Sequence, residues 1–343
     1  MIDLRSDTVT QPLPEMREAM KLAAVGDDVF REDPTVNRLE AMAAELTGKE
    51  AGLFVASGTM GNLVAVLATC ERGDEVIMGD LGHTFLFEGG GISALGGVFP
   101  HTLRNQVGGT IDLNEIKAAI RPNDIHQPRT KMIILENTHN RCGGVVLSSE
   151  YTDNVANIAH SHEIKLHIDG ARIFNAATAL NTSVKQLVAN ADSITFCLSK
   201  GLCAPVGSVL CGSKDFIERS RRIRKQLGGG MRQAGVLAAA GIVSLEVVSK
   251  RLGEDHQRAS MLANGLQQIG GMNLNLGMPQ TNMVFAELSA DVKWDALQVS
   301  DALKQHSVLV GVVGKKQFRM VTHYWIDDLA IENTLGAFRK ILI

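Results

Sequence analysis

The sequence predicts an α/β fold, with a mostly parallel sheet covered by helices on both faces and a smaller C-terminal α+β unit. Three observations carry this. From about residue 34 to 230, short apolar runs without strict alternation are separated by amphipathic stretches, the pattern of strands buried on both faces. Near residue 250 the texture changes to shorter, mixed elements. The 343 residues exceed one typical domain of roughly 100–200 residues and suffice for a full-sized core.

In chain order, Val36, Leu39, Ala43 and Leu46 recur at helical spacing. GLFVAS (52–57) reads as a strand feeding a helix over 59–70, and EVIMGD (75–80) as the next strand. KMIILEN (131–137), a helix near 150–161 and IKLHID (164–169) repeat the alternation. SITFCLS (193–199) and GSVLCGS (207–213) are further buried strands, and AGVLAAAGIVSLEVVSK predicts a long helix over 234–250. Beyond it come a helix at 254–268, TNMVFAEL (281–288), a helix at 292–305, VLVGVV (308–313), QFRMVTHY (317–324) and a closing helix from 327. The expected division is a large unit over 1–250 and a small one over 251–343.

Composition narrows the function classes. Apolar residues make up 45% and charged residues 21%, which excludes a disordered chain. A net charge of −3 supplies no global field for a polyanion or a membrane surface, so neither nucleic acid nor membrane is an expected partner. The cluster Arg219, Arg221, Arg222, Arg224, Lys225 and Arg232 lacks the interleaved aromatics of a nucleic-acid surface and reads as a solvated helix face or an oligomer contact. Residues 51–70 are uncharged, but SGTMGN at their centre fits a strand, a turn and a helix start better than a membrane span. The five cysteines form no close-spaced pair, so no metal is expected and free thiols in a reducing compartment are. The opening MIDLRSDTVT carries no signal-peptide core. A soluble cytoplasmic protein is the expectation. Glycine, at 34 residues, is abundant and needs a cause.

Three strand ends carry candidate chemistry, where open α/β sheets place ligands. Asp169, in HIDGAR, leaves a buried strand and can aim a carboxylate at a ring nitrogen, or simply be a solvated strand end. Lys200, in CLSKG, follows the next strand pattern; a buried lysine must lose its proton, pair or react. A lysine opposite an aspartate-held aromatic cation suits an imine to pyridoxal phosphate. SGTMGN (57–62) lets backbone N–H groups converge at a helix N-terminus and hold a phosphate without a P-loop lysine.

With these in place, the chain resembles the threonine aldolase family of fold-type-I pyridoxal-phosphate enzymes. The phrases that carry the likeness are IDLRSDTVT (2–10), VGDDVFREDPTVNRLE (25–40), FVASGTMGN (54–62), LGH with FEGGG (81–91), LENTHN (135–140), HIDGARIFNA (167–176), CLSKGLCAPVGS (197–208), GGGMRQAG (228–235), QTNMVF (280–285) and RMVTH (319–323). They span almost the whole chain in consistent order. The resemblance implies an aspartate aminotransferase-like large domain and pyridoxal 5'-phosphate bound covalently to Lys200. Asp169 would meet the pyridine nitrogen, His83 would stack on the ring, and Gly58 and Thr59 would hold the phosphate. Arg232 would reach a neighbouring subunit's phosphate. Ser6, Arg172 and Arg319 would bind the substrate carboxylate, with Arg172 also beside the cofactor; Phe30, Phe87 and His126 would contact the substrate.

The implied reaction is retro-aldol cleavage of L-threonine, L-allo-threonine and other L-β-hydroxy-α-amino acids, yielding glycine and acetaldehyde from threonine. That is a role in threonine degradation and glycine supply, performed by a homotetramer (a pair of dimers) with active sites at subunit interfaces. The β-hydroxyl base is read as His83 assisted by His126, against a route relayed by water or phosphate. Phe30 stands where some family members carry tyrosine, which predicts relaxed selectivity at the β-carbon. The competing readings are β-elimination, hydroxymethyl transfer and a non-catalytic cofactor carrier.

Overall fold

A computed structural model describes residues 1–342. Its main sheet has seven strands in the order Ala51–Val55, Ser208–Gly212, Ser193–Cys197, Lys165–Asp169, Thr130–Glu136, Glu75–Gly79 and Phe99–Leu103. Ser208–Gly212 runs antiparallel to both neighbours, and the other pairs are parallel. Side-chain alternation splits the apolar runs between two cores. Phe54 packs with Leu39, Ile133 and Phe196 on one face, while Leu53 and Val55 pack with Val64, Leu210 and Phe216 on the other. Both faces are covered, so the runs show no polar side.

Helix Gly58–Thr69 lies so close to the sheet that a Cβ on Gly61 would sit 2.5 Å from the Thr195 methyl, and one on Gly58 would sit 2.8 Å from Cys197 Sγ. Part of the glycine excess therefore brings this helix's first turn against the strand that leads to Lys200.

The second sheet has four strands in the order Gly311–Val312, Gln317–Val321, Met283–Leu288 and Met272–Asn273. Helices Leu252–Gln267, Ala296–Gln305 and Asp328–Leu342 supply Leu262, Leu303 and Phe338 to its core. The first residues of the chain join this unit. Ile2–Asp3 pairs in parallel with Val308–Leu309, and Leu4 is fully buried in the same core. Helix Leu252–Gln267 spans both units, with Leu252 in the large core and Ala259, Leu262 and Leu266 in the small one.

Several expected boundaries shift. The helix expected over 234–250 is α-helical at Gly235–Glu246 and tightens into a 3₁₀ turn at Val248–Arg251. The β-branched Val247 and Val248 crowd the turn where the chain leaves the large core. The helix expected from 292 begins at Ala296, because Asp295 and Gln298 form a capping box. VLVGVV is two strands, one paired with Ile2–Asp3 and the other with Gln317–Val321. Helix Pro14–Lys21 and the edge strand Phe99–Leu103 are additions to that reading; the latter, FPHTL, carries a proline, one exposed and four half-buried positions, which mask a strand pattern. All five cysteines are free and buried. No described helix is long and apolar enough to cross a membrane.

Candidate active site

The candidate residues gather where strands of the main sheet end. Asp169 is the last residue of its strand, Lys200 follows the neighbouring strand, and Ser57 follows the edge strand Ala51–Val55. A cleft of about 360 Å³ opens there, lined by Gly58, Thr59, His83, Glu88, Asp169 and Lys200, among others.

Ser57 caps helix Gly58–Thr69, its Oγ accepting from the Met60 N–H at 3.1 Å. The N–H groups of Gly58 and Thr59 precede the first helical acceptor and have no partner within the helix. They present the helix's partial positive end at the cleft, a ready site for a phosphate.

Asp169 is buried. Its Oδ2 accepts from Asn62 Nδ2 at 3.0 Å and its Oδ1 from the Ala171 N–H at 3.2 Å. Asn62 also donates to Glu88 Oε1 at 2.9 Å, and its Oδ1 faces His167 Nε2 at 3.2 Å. His167 is fully buried, and burial pushes its imidazole down to about 4. It is therefore neutral, with Nε2–H donating to Asn62 and Nδ1 accepting from Ser193 Oγ at 2.8 Å. His83 is 31% exposed and sets Nδ1 3.0 Å from Glu88 Oε1; its ring lies 5.6 Å from that of Phe87. One ring nitrogen of His83 and one carboxylate oxygen each of Glu88 and Asp169 lie within 4.8 Å of one another.

The cationic half of the site centres on Asp7, which is fully buried. Arg172 grips it with Nε 2.6 Å from Oδ2 and Nη2 2.5 Å from Oδ1. Burial alone would raise the Asp7 carboxyl; the charges of Arg172, Lys200 and Arg319 overcome it and hold the group well below the usual carboxylate range. Thr10 Oγ1 donates to the Lys200 carbonyl at 2.9 Å, tying the N-terminal segment to the lysine loop. Arg319 has no carboxylate partner among the described residues. Its Nη1 reaches the Arg5 carbonyl at 3.3 Å, and its Nε is buried without a hydrogen bond. Burial, then repulsion from Arg172 and Arg141, lowers the Arg319 guanidinium to about 10.

The chain brings Lys200, Asp169, His83, Gly58 and Thr59 together. Arg172 meets Asp7 through its Nε–Nη2 edge, and its Nη1 makes no hydrogen bond among the described residues. Ser6 caps the turn Asp7–Val9 by accepting from the Thr8 N–H at 3.2 Å. His126 lies outside the cleft with its side chain 82% exposed and its Nδ1 2.8 Å from Asp124. Arg232 is also outside it, bonded to Asp27 at 3.0 Å. Phe30 and Phe87 are largely exposed. This single chain therefore does not deliver His126, Arg232 or Phe30 to the cleft.

Sequence reasoning missed Asp7, Asn62 and Glu88 as site groups. Each stands inside a quoted phrase (RSDTVT, SGTMGN, FEGGG), but polar residues beside glycine read as turns until the fold buries them.

The residues present fit a pyridoxal phosphate cofactor: a lysine, a buried aspartate held by two donors, and a phosphate-sized nest share one cleft. Residues 3–290 match the beta-eliminating lyase family. A probable low-specificity L-threonine aldolase of Arabidopsis thaliana is 50% identical, covering 99% of this chain and 97% of the relative. The low specificity L-threonine aldolase of Escherichia coli K12 is 46% identical, covering 100% and 99%. Among solved structures, the threonine aldolase of Leishmania major superposes with a TM-score of 0.85 at 18% identity over the full length of both chains, a likeness of fold. Site, sequence and fold agree, and the chain belongs to the beta-eliminating lyase family, in its threonine aldolase group.

Proposed function

We propose that the protein is a pyridoxal-phosphate-dependent aldehyde-lyase that cleaves L-threonine, L-allo-threonine and related L-β-hydroxy-α-amino acids into glycine and an aldehyde. The observation that carries this is the charge arrangement around Asp7. Arg172, Lys200 and Arg319 act on one buried carboxylate, so this end of the site carries more positive charge than Asp7 alone neutralises. An anionic substrate group and a phosphate restore the balance.

Bound in this cleft, pyridoxal phosphate would supply a sink for the electron pair left when a bond at the substrate α-carbon breaks. Lys200 would hold it covalently, Asp169 would keep its ring nitrogen protonated, and Gly58 and Thr59 would hold its phosphate. Arg319 binds the substrate carboxylate, since its planar fork has no carboxylate partner among the described residues. Arg172, fixed by Asp7 through Nε and Nη2, keeps Nη1 open for a second contact to that carboxylate. Fixing the carboxylate orients the α-carbon so that the Cα–Cβ bond, and not Cα–H, is the one aligned for cleavage. His83 accepts the β-hydroxyl proton.

The test is aldehyde release across the four threonine stereoisomers, serine and phenylserine. Glycine plus aldehyde from the two L-isomers is the expected result; ammonia and a keto acid would overturn the aldolase reading. Arg319→Ala should lower kcat/KM by about 10²–10³-fold, the loss of a charge-paired contact worth roughly 3–4 kcal/mol, and Arg319→Lys should recover little of it.

We also propose a cytoplasmic homotetramer built from two dimers, with the large unit over 1–250 and the small one over 251–343, apart from residues 2–4, which reach into the small unit's core. The five free buried thiols suit a reducing compartment. Phe30 is 70% and Phe87 52% exposed, more than a monomer's surface needs, and a second subunit would cover them while bringing Arg232 and His126 to its neighbour's cleft. Mixing Arg232→Ala and Lys200→Ala subunits should restore activity that neither has alone. No rescue despite confirmed subunit exchange counts against action across the interface.

A further inference from the structure

The contact between His83 and Glu88 assigns a role to a residue that the proposed reaction leaves unused. Glu88 is buried, 8% exposed, and lies in the loop after the short helix His83–Leu86. Its Oε1 meets two groups, Asn62 Nδ2 at 2.9 Å and His83 Nδ1 at 3.0 Å, while Oε2 is buried with no hydrogen bond among the described residues.

The direction of each bond follows from the neighbours. Asn62 must turn its NH₂ toward Glu88 and Asp169, because only that orientation satisfies both acids and leaves Oδ1 to accept from His167 Nε2–H. Glu88 Oε1 is then an acceptor toward Asn62, and its remaining lone pair faces His83 Nδ1. A proton on Nδ1 completes the bond. Nε2 of His83 is left with a free lone pair; it makes no hydrogen bond within the described chain, on a ring that lines the cleft.

We infer that Glu88 is a positioning residue, which locks the His83 imidazole as its Nδ1–H tautomer so that Nε2 can take the substrate's β-hydroxyl proton. This rests on the reaction proposed above. In that step the proton passes from the hydroxyl oxygen to Nε2, a C=O bond forms as Cα–Cβ breaks, and the Cα–Cβ electron pair stays with the α-carbon, where pyridoxal phosphate, when bound, would supply the sink. Glu88 exchanges no proton with substrate; its charge stabilises the imidazolium formed on His83, and its fixed oxygen sets the ring's angle.

The surrounding charges agree. The hydrogen bond to Glu88 raises the His83 imidazole above its ordinary value, burial opposes it, the Asp169 and Glu88 charges add to it and Lys200 subtracts. Glu136 holds the ring's backbone, accepting from the His83 N–H at 2.7 Å. The Glu88 carboxyl is itself raised, first by burial and also by the Asp169 charge, against the bonds from His83 and Asn62.

The experiment combines ring-nitrogen NMR of His83 in the cofactor-free protein with pH profiles of the loaded enzyme. In the wild type, neutral His83 should carry its proton on Nδ1. Glu88→Gln keeps an acceptor but removes the charge, so the His83 midpoint should fall by about one unit. The acid limb of kcat should move to lower pH by the same amount, since the base must be neutral to act. Glu88→Ala removes the acceptor, so the tautomer preference should be lost and kcat should fall on the order of 10²-fold with KM little changed.

Unchanged His83 midpoint and acid limb in Glu88→Gln would overturn the assignment. So would a Glu88→Ala enzyme that, saturated with cofactor, keeps its kcat and has lost only cofactor affinity. If no hydroxy amino acid releases aldehyde while the NMR shows the Nδ1–H tautomer and the Glu88→Gln shift, the positioning stands and the reaction proposed above fails.

Discussion

Lys200→Ala should remove both the visible absorbance of the lysine-bound cofactor and all measurable aldehyde release. The lysine sits at the end of a strand that is buried at every position, and its carbonyl is pinned by Thr10 Oγ1. Truncation at Cβ leaves that backbone anchor intact and removes only the amino group. The loss is chemical rather than structural, because the variant should unfold at the wild-type denaturant midpoint. Absorbance measured after adding cofactor and removing the unbound excess checks the assignment. A band of wild-type intensity in the variant would sink it.

The second large effect belongs to Asp7. Replacing it with alanine strands the Arg172 guanidinium, whose side chain is only 5% exposed. An uncompensated buried charge costs about 3–5 kcal/mol, a large part of a typical stability of roughly 5–15 kcal/mol. Asp7→Ala should therefore lower the unfolding midpoint sharply. Asp7 also bears on acid stability. Its folded carboxyl lies below its unfolded value, because the positive charges around it outweigh burial. The stabilisation is complete above the unfolded pKa of about 3.9 and disappears as the pH falls through the folded value. Urea midpoints should thus show a decline on acidification that Asp7→Asn flattens. Equal slopes in both proteins would show that the pair contributes nothing. Arg172→Met with Asp7→Leu, which removes both charges together, should recover much of the stability lost in Asp7→Ala while losing activity.

Much of this was legible in the residue order, for physical reasons that differ by element. IKLHID and SITFCLS announce themselves because strands covered on both faces must be apolar throughout. Gly58 and Gly61 could be picked out because the helix backbone lies against side chains of the strand Ser193–Cys197 there, and a Cβ on either glycine would strike Cys197 or Thr195. Lys200 and Asp169 stand out only in combination with the SGTMGN turn, because a single charged residue after an apolar strand is as readily a solvated strand end. The edge strand Phe99–Leu103 was hidden, because one row of its backbone groups faces no neighbour and its side chains remain half exposed. The two-residue strands Ile2–Asp3 and Val308–Leu309 were hidden for another reason: their pairing joins residues some three hundred positions apart, and no local pattern records a distant partner.

The sequence by itself determined the class of fold and marked the strand ends, with their lysine, aspartate and glycine-rich turn, as candidates for the chemistry. Periodicity, glycine permissiveness and the cost of burying charge point to the places, and the family resemblance assigns the roles. Only the tertiary structure decided which arginine carries a carboxylate partner. Arg172 and Arg319 are the same residue type in equally plausible places, but folding closes Asp7 onto one edge of the first and leaves the second without a carboxylate among the described residues. It likewise decided that Glu88, written among glycines like any turn residue, lies buried against His83. A side chain's chemistry is set by its neighbours in space, through burial and charge falling off over a few ångströms, and those neighbours are chosen by the fold.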